Sequence, residues 1–180
     1  MRRTNPLTIN KIEAIARKTR EYFQVSNDSK FPIMEVIGYL FEKCVLSLQV
    51  LEDDNKIFEE GVPAVYNPID NFIYVKESVL KELEEKEYRS NFTLAHELFH
   101  FIQCKILEFE FEDVEYCKSY EDAEWQANEF AAQLLIPTEY AMAQKYDVQF
   151  IIEKFEVSEI FANTRRIKCL KRKHKNISYR

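Results

Sequence analysis

His96-Glu97-Leu98-Phe99-His100 places two imidazoles around a carboxylate within five residues. On an α-helix, positions i and i+4 stand one turn apart on the same face, so the two rings project side by side. Two imidazoles in that relation can grip one metal ion, and the glutamate between them can reach a water on it. This is the H-E-x-x-H arrangement of zinc hydrolases. It makes His96 and His100 candidate ligands of Zn2+ and Glu97 a candidate catalytic base.

The surrounding helix supports that reading. Ser90 or Asn91 is placed to cap it. Phe92, Leu94, Ala95, Leu98, Phe99, Phe101, Ile102 and Ile106 cover nearly every direction, which predicts a buried helix. The exception is a polar stripe of Thr93, His96, His100 and Gln103. Polar groups on an otherwise apolar helix are costly to bury without partners. A metal site supplies partners, whereas two ordinary core histidines would each need a separate acceptor.

A catalytic zinc usually takes three protein ligands and leaves a position for water. A third histidine six residues past His100 is excluded, because that position is Ile106 and the glycine expected before it is Gln103. A carboxylate on a later helix remains. Glu121 to Leu135 reads as a helix by periodicity, ended by Pro137. Glu124, Asn128, Ala131 and Leu135 share one of its faces, and Ala127, Ala131 and Ala132 allow another helix to approach closely. If that small-residue face is the packed one, Glu124 is the ligand and Glu121, Asp122 and Glu129 point elsewhere. Asn128, one turn on, can then fix a histidine ring through its other nitrogen.

The rest of the chain is read around this pair of helices. Helices are expected over Thr8–Phe23 and after Pro32, then a strand at Val45–Leu51. Two more strands, Ala64–Tyr66 and Phe72–Val75, flank the turn-forming Asn67-Pro68-Ile69-Asp70-Asn71. A charged helix follows from Ser78 to Glu87. The order, two helices, three strands and then helices to the end, is α+β. At 180 residues this fits a single domain. Residues 1–88 carry helices and the small sheet, 89–137 the zinc-site helix pair, and 138–180 C-terminal helices with a basic tail. The acidic stretch from Glu108 to Asp122 is taken as a solvated connection.

Composition narrows the function classes. Gly38 and Gly61 are the two glycines, so no glycine-rich phosphate loop is present. With no apolar leader and no apolar run of about 18 residues, a soluble, cytoplasmic protein is expected, without membrane contact. Cys44, Cys104, Cys117 and Cys169 form no C-x-x-C pair and read as reduced thiols. The net charge is −6, but eight of the 25 basic residues fall between Arg165 and Arg180, where there is no acid. The other 17 face 31 acidic groups, a net of −14. That acidic body argues against general nucleic-acid binding, while the tail leaves a local contact with DNA or a partner open.

Phe92-Thr93-Leu94-Ala95-His96-Glu97-Leu98-Phe99-His100, together with Glu124-Trp125-Gln126-Ala127-Asn128-Glu129-Phe130-Ala131-Ala132-Gln133-Leu134-Leu135-Ile136-Pro137, resembles the ImmA/IrrE family of zinc metallopeptidases. Phe155-Glu156-Val157-Ser158 and Arg166-Ile167 are similar to its C-terminal helical segment. The resemblance implies a zincin-like minimal core, with His96, His100 and Glu124 on zinc and Glu97 as base. The family commonly has glycine where this chain has Phe99, whose ring would fill space behind the helix or shape the cleft wall.

The resemblance also implies a substrate: a separate helix-turn-helix repressor, cut to release genes of mobile elements, phages or stress responses. Tyr66, Tyr74, Tyr116, Tyr120 and His174 are candidate oxyanion donors. An extended substrate could add to the edge of the strand set containing Phe72–Val75. Two other classes fit the same sequence. One is a non-catalytic zinc-containing interaction module or toxin–antitoxin-type regulator, and the other a DNA-associated regulator acting through its tail.

Overall fold

Thr8 starts the first helix, its hydroxyl accepting from the Lys11 amide at 3.3 Å. This helix, α1 (Ile9–Tyr22), buries Ile12 and Ala16. The computed structural model describes residues 1–85, 88–143 and 147–177, the last five by their backbone alone. Helix α2 (Ile33–Glu42) begins directly after Pro32 and turns Ile33, Val36, Ile37 and Leu40 inward. Each fully buried side chain of this kind contributes about 1.5–3 kcal/mol, which holds α2 against the sheet and the central helix.

The sheet has three strands, β2 (Ser47–Leu51), β3 (Ala64–Asn67) and β4 (Phe72–Lys76), in the order β2-β4-β3. The N-terminal strand, β1 (Arg2–Thr4), belongs to a separate ribbon. β2 runs parallel to β4, and β3 antiparallel to it. In that register Ala64 stands opposite Val75, and Tyr66 opposite Ile73. All four are buried, so one face of the sheet is apolar. The turn between β3 and β4 is built from its own polar side chains. Asn67 accepts from the Ile69 amide and Asp70 from the Phe72 amide. Asn71 takes a positive φ of 61° that asparagine tolerates.

Helix α3 (Glu77–Glu84) leads to the motif helix α4 (Arg89–Phe101) and a π-helical turn at Ile102–Ile106. The expected caps are not used. α4 starts before Ser90, whose hydroxyl instead donates to Glu82 at 2.6 Å, while the Asn91 amide donates to the Glu156 carbonyl at 3.1 Å. The π turn redirects the chain, and Ile106 ends up exposed rather than on the buried face. Helix α5 (Ala123–Leu135) packs on both α4 and α1. Arg20 ties α1 to the end of α5, donating to the Leu134 carbonyl as well as to those of Ser26 and Ser29. Burial pulls this guanidinium down to a pKa of about 10, against the raising charges of Glu139 and Asp28.

Two strands lie outside the sequence reading. β1 (Arg2–Thr4) pairs antiparallel with β5 (Phe111–Asp113), inside the stretch expected to be a solvated connection. The Arg2 guanidinium lies over the Phe111 ring, and Arg3 pairs with Glu112. Three-residue strands carry too little periodicity to be seen in the sequence. The acidic residues are partly there to meet this arginine-bearing segment.

Helices α6 (Thr138–Met142), α7 (Val148–Phe155) and α8 (Glu159–Ile177) complete the fold. α8 packs on α6 and α7, and it is less free than a basic tail suggests. Arg165 is buried, and Arg172 makes a two-pronged pair with Glu129 of α5 at 2.8 and 2.9 Å. Lys168 and Lys171 are exposed. Arg180 lies outside the described residues, as do the side chains of Lys173 and Lys175. The whole is α+β, with eight helices, a three-stranded sheet and a two-stranded ribbon among the described residues. None of those helices is long and apolar enough to cross a membrane, and the four cysteines are free thiols.

Candidate active site

Helices α4 and α5 bring His96, His100 and Glu124 together. The Nε2 atoms of the two histidines are 3.0 Å apart. Glu124 Oε2 lies 3.1 Å from His96 Nε2, and Oε1 lies 3.2 Å from His100 Nε2. The three donor atoms fall within 4.8 Å of one another. His100 is buried, His96 half-buried, and Glu124 exposed at the open side of the site.

The backs of both rings are occupied. His96 Nδ1 faces Asn128 Oδ1 at 3.2 Å, and His100 Nδ1 faces Gln103 Oε1 at 3.0 Å. An amide oxygen only accepts, so each Nδ1 carries the hydrogen and each Nε2 presents a lone pair. Two imidazole lone pairs and a carboxylate then converge on one point, an arrangement that repels itself until a cation sits among them. Two imidazole nitrogens and one carboxylate oxygen are also the donor set of many catalytic zinc sites, so these residues fit that ion.

Electrostatics follow the same geometry. When His100 and His96 take up a second proton, their Nε2–H groups donate to Glu124, and this holds its carboxyl well below the usual carboxylate range. Burial pulls His96 down, but the Glu124 hydrogen bond and the charges of Glu97 and Glu124 outweigh it and leave its pKa raised. Glu97 is buried, and burial pushes its carboxyl up against the opposing pull of His100, His96 and the Tyr66 amide. That amide donates to Glu97 Oε2 at 2.7 Å, fixing the side chain from β3. A carboxylate poised above its ordinary value is better matched to accept a proton near neutral pH.

The other acids around Glu124 have different work. Glu121 accepts from the Lys118 amide and Asp122 caps α5 by accepting from the Glu124 amide. Glu129 faces Arg165 and Arg172. Of the candidate oxyanion donors, Tyr66 donates its hydroxyl to Asn71 and Tyr74 to Asp70, so both are committed to the β3–β4 turn. Tyr116 and Tyr120 are exposed on the segment leading to α5. The His174 side chain lies outside the described residues.

β4, which contains Phe72–Val75, is the central strand, and the sheet edge beside α4 is β3. The Tyr66 amide on that edge is already spent on Glu97. Ala64 and Tyr66 are only 2% and 6% exposed, so an extended substrate meets little free backbone there.

Phe99 sits behind the site. It is fully buried and stacks on Phe130 of α5, with ring centroids 4.4 Å apart at 22°. It therefore fills the seam between α4 and α5 rather than lining the cleft. Phe99→Leu is expected to lower stability by roughly 1–2 kcal/mol through the lost stacking and imperfect fill. Zinc stoichiometry should be unchanged. Urea unfolding followed by metal analysis checks both, and a loss of metal in a folded variant would place Phe99 in the site after all.

Gln103 is legible in the sequence as part of the polar stripe, whereas its partner Gln126 is not marked by any motif. Gln126 shares the buried face of α5 with Ala123, Ala127, Phe130 and Leu134, and a polar residue on that apolar face was the available signal.

The family model for the IrrE N-terminal-like domain, Peptidase_M78, matches residues 62–166, more than half of the chain. No curated protein matches the chain significantly. Among solved structures, a Mycobacterium tuberculosis transcriptional regulator is similar with a TM-score of 0.55 and 16% identity, over 86% of this chain and 54% of that one. The chain thus spans about half the length of the regulator, and at this identity the likeness is one of fold.

Proposed function

Because this chain belongs to the Peptidase_M78 family of IrrE N-terminal-like domains, we propose that it is a zinc-dependent endopeptidase. His96, His100 and Glu124 hold the metal, and Glu97 is the catalytic base. The observation that carries this reading is the convergence of three metal-binding atoms within 4.8 Å on two packed helices. A zinc ion at that point supplies a Lewis acid that acidifies water and polarises a carbonyl.

The chain's own residues do the rest. Asn128 and Gln103 orient the two imidazoles, so that neither ring has to turn before it can bind. Glu97, held by the Tyr66 amide, accepts a proton from the attacking water and returns it to the leaving amine. Glu124 closes the donor set on the exposed side, where a peptide would enter.

The substrate proposed is a separate helix-turn-helix repressor, whose cleavage in the cytoplasm would release mobile-element, phage or stress genes. Family resemblance supports this, as does the fold likeness to a protein named a transcriptional regulator. The exposed Lys168 and Lys171 on α8 offer a place for a weak contact with that partner or with nearby DNA. Co-expression with a helix-turn-helix repressor encoded beside the gene is the test. A shortened repressor fragment is expected on an immunoblot. A repressor that stays full-length alongside zinc-loaded protein would overturn this pairing.

A further inference from the structure

His100 is held by more than its immediate neighbour. Gln103 Oε1 lies 3.0 Å from its Nδ1, and Gln103 Nε2 donates to Gln126 Oε1 at 2.9 Å. Gln126 Nε2 in turn donates to the Asn5 carbonyl at 2.9 Å and the Tyr120 carbonyl at 2.8 Å. Both glutamines are fully buried, so water cannot take over any of these bonds.

The far end of the chain dictates its direction. Backbone carbonyls can only accept, so the group of Gln126 that faces two of them must be its amino group. Both of that group's hydrogens are thereby used. Its oxygen must face Gln103, which must present its own amino group there and its oxygen to His100. The ring nitrogen at that oxygen must carry the hydrogen, leaving the Nε2 lone pair turned towards His96 and Glu124. Reversing either amide sets oxygen against oxygen and nitrogen against nitrogen in a sealed interior, at a cost of several unmade hydrogen bonds.

We infer that Gln103 and Gln126 are positioning residues of the metal centre. They form a carboxamide relay that fixes the His100 ring, and its tautomer, from the N-terminal segment. Residues Asn5 to Leu7 belong to the device. Asn5 supplies one anchoring carbonyl, and the Leu7 amide donates at 2.8 Å to the same Tyr120 carbonyl that anchors Gln126. β1, just before them, is clamped on β5. The contrast with His96 is instructive. Its partner Asn128 is exposed, so water can replace that amide oxygen, whereas nothing can replace the relay behind His100.

The inference rests on the metal reading of the site, so its test has one arm that needs no metal. In metal-free wild-type protein in alkaline buffer, where imidazoles are neutral, side-chain nitrogen NMR of the histidines is expected to show His100 with its hydrogen on Nδ1. A neutral ring with its hydrogen on Nε2 and a bare Nδ1 would overturn the relay, even if the protein goes on to bind zinc normally. The second arm is zinc affinity by competition with a chromophoric chelator. Gln126→Leu, which removes a residue that does not touch His100, is expected to weaken zinc binding about 10–100-fold. The same change made on top of Gln103→Leu is expected to add almost nothing, because the relay is already cut. Unchanged affinity in a folded Gln126→Leu protein, or independent losses that multiply in the double variant, would overturn it. If Gln126→Leu does not fold, Gln103→Glu replaces it. A neutral glutamic acid accepts from His100 and donates to Gln126, so near-normal affinity is expected and a loss like that of Gln103→Leu would count against the relay. A protein that binds no zinc while showing the expected His100 tautomer would defeat the metal reading and leave the relay standing.

Discussion

Replacing Glu97 by glutamine is expected to slow peptide-bond cleavage about 10²–10⁴-fold, the usual contribution of a positioned general base, with no loss of bound zinc. The separation of the two effects is what makes the variant informative. Glu97 is not among the three atoms that converge between α4 and α5, so the donor set stays complete. A glutamine keeps a carbonyl oxygen to accept from the Tyr66 amide, which now reaches Glu97 at 2.7 Å, so the side chain stays held from β3. What disappears is basicity. An amide cannot take the proton of an attacking water, and burial that raises the pKa of a carboxyl has nothing to act on in an amide. Single-turnover cleavage of the proposed repressor substrate, with zinc measured on the same sample, is the appropriate experiment. A variant that cuts at the wild-type rate would remove Glu97 from the chemistry. A variant that loses zinc as well would show that the carboxylate acts on the metal site itself.

How much of this could be read from the sequence depends on the range of the interactions. His96 and His100 are four residues apart on one helix, so a local periodicity places them side by side. Glu124 lies on a second helix, yet the alanines at 127 and 131 mark the face that packs, and the structure puts that carboxylate beside both rings. The three-stranded sheet was legible because alternation and turn chemistry coincide around Asn67–Asn71. Its strand order was not, since hydrophobic pattern does not say which strand lies in the middle.

Non-local polar pairing was harder. Gln103 and Gln126 meet across two helices, and one of the two carbonyls that anchor them is at Asn5, so no window of sequence contains the whole network. β1 and β5 are three residues each, below the length at which a period can be recognised. Phe99 could be read as large and buried, but its direction depends on Phe130 on another element. The basic run from Arg165 shows the same limit in charge. A sequence displays the sign of a residue but not its partner, and two of the arginines there are turned inward.

Those two arginines give the second large effect. Glu129→Ala is expected to cost about 3–5 kcal/mol of folding stability, as when one member of a buried ion cluster is removed and the others are left uncompensated. Glu129 is 5% exposed and receives both prongs of Arg172, with Arg165 Nη1 at 3.5 Å. Arg165 is 2% exposed and also donates to Gln133 and Thr138, so it has no route to water once the carboxylate is gone. Burial pushes the Glu129 carboxyl up, but the Arg172 hydrogen bond and the two positive charges outweigh it, and its pKa is lowered. A carboxyl whose folded value is depressed stabilises the fold fully above its unfolded value, about 4.3, and the contribution fades as pH falls below that towards the folded value. The wild-type and Glu129→Ala urea midpoints should therefore differ most near neutrality and draw together in acid. Replacing all three members with apolar residues, Arg165→Met, Glu129→Leu and Arg172→Leu, should recover most of the loss, because no buried charge is then left alone. Equal midpoints for wild type and Glu129→Ala at neutral pH would mean that α8 is held by its apolar contacts alone. A triple variant as unstable as the single one would mean that the cluster fixes how α8 lies against α5, the helix that carries Glu124, in a way apolar packing cannot replace.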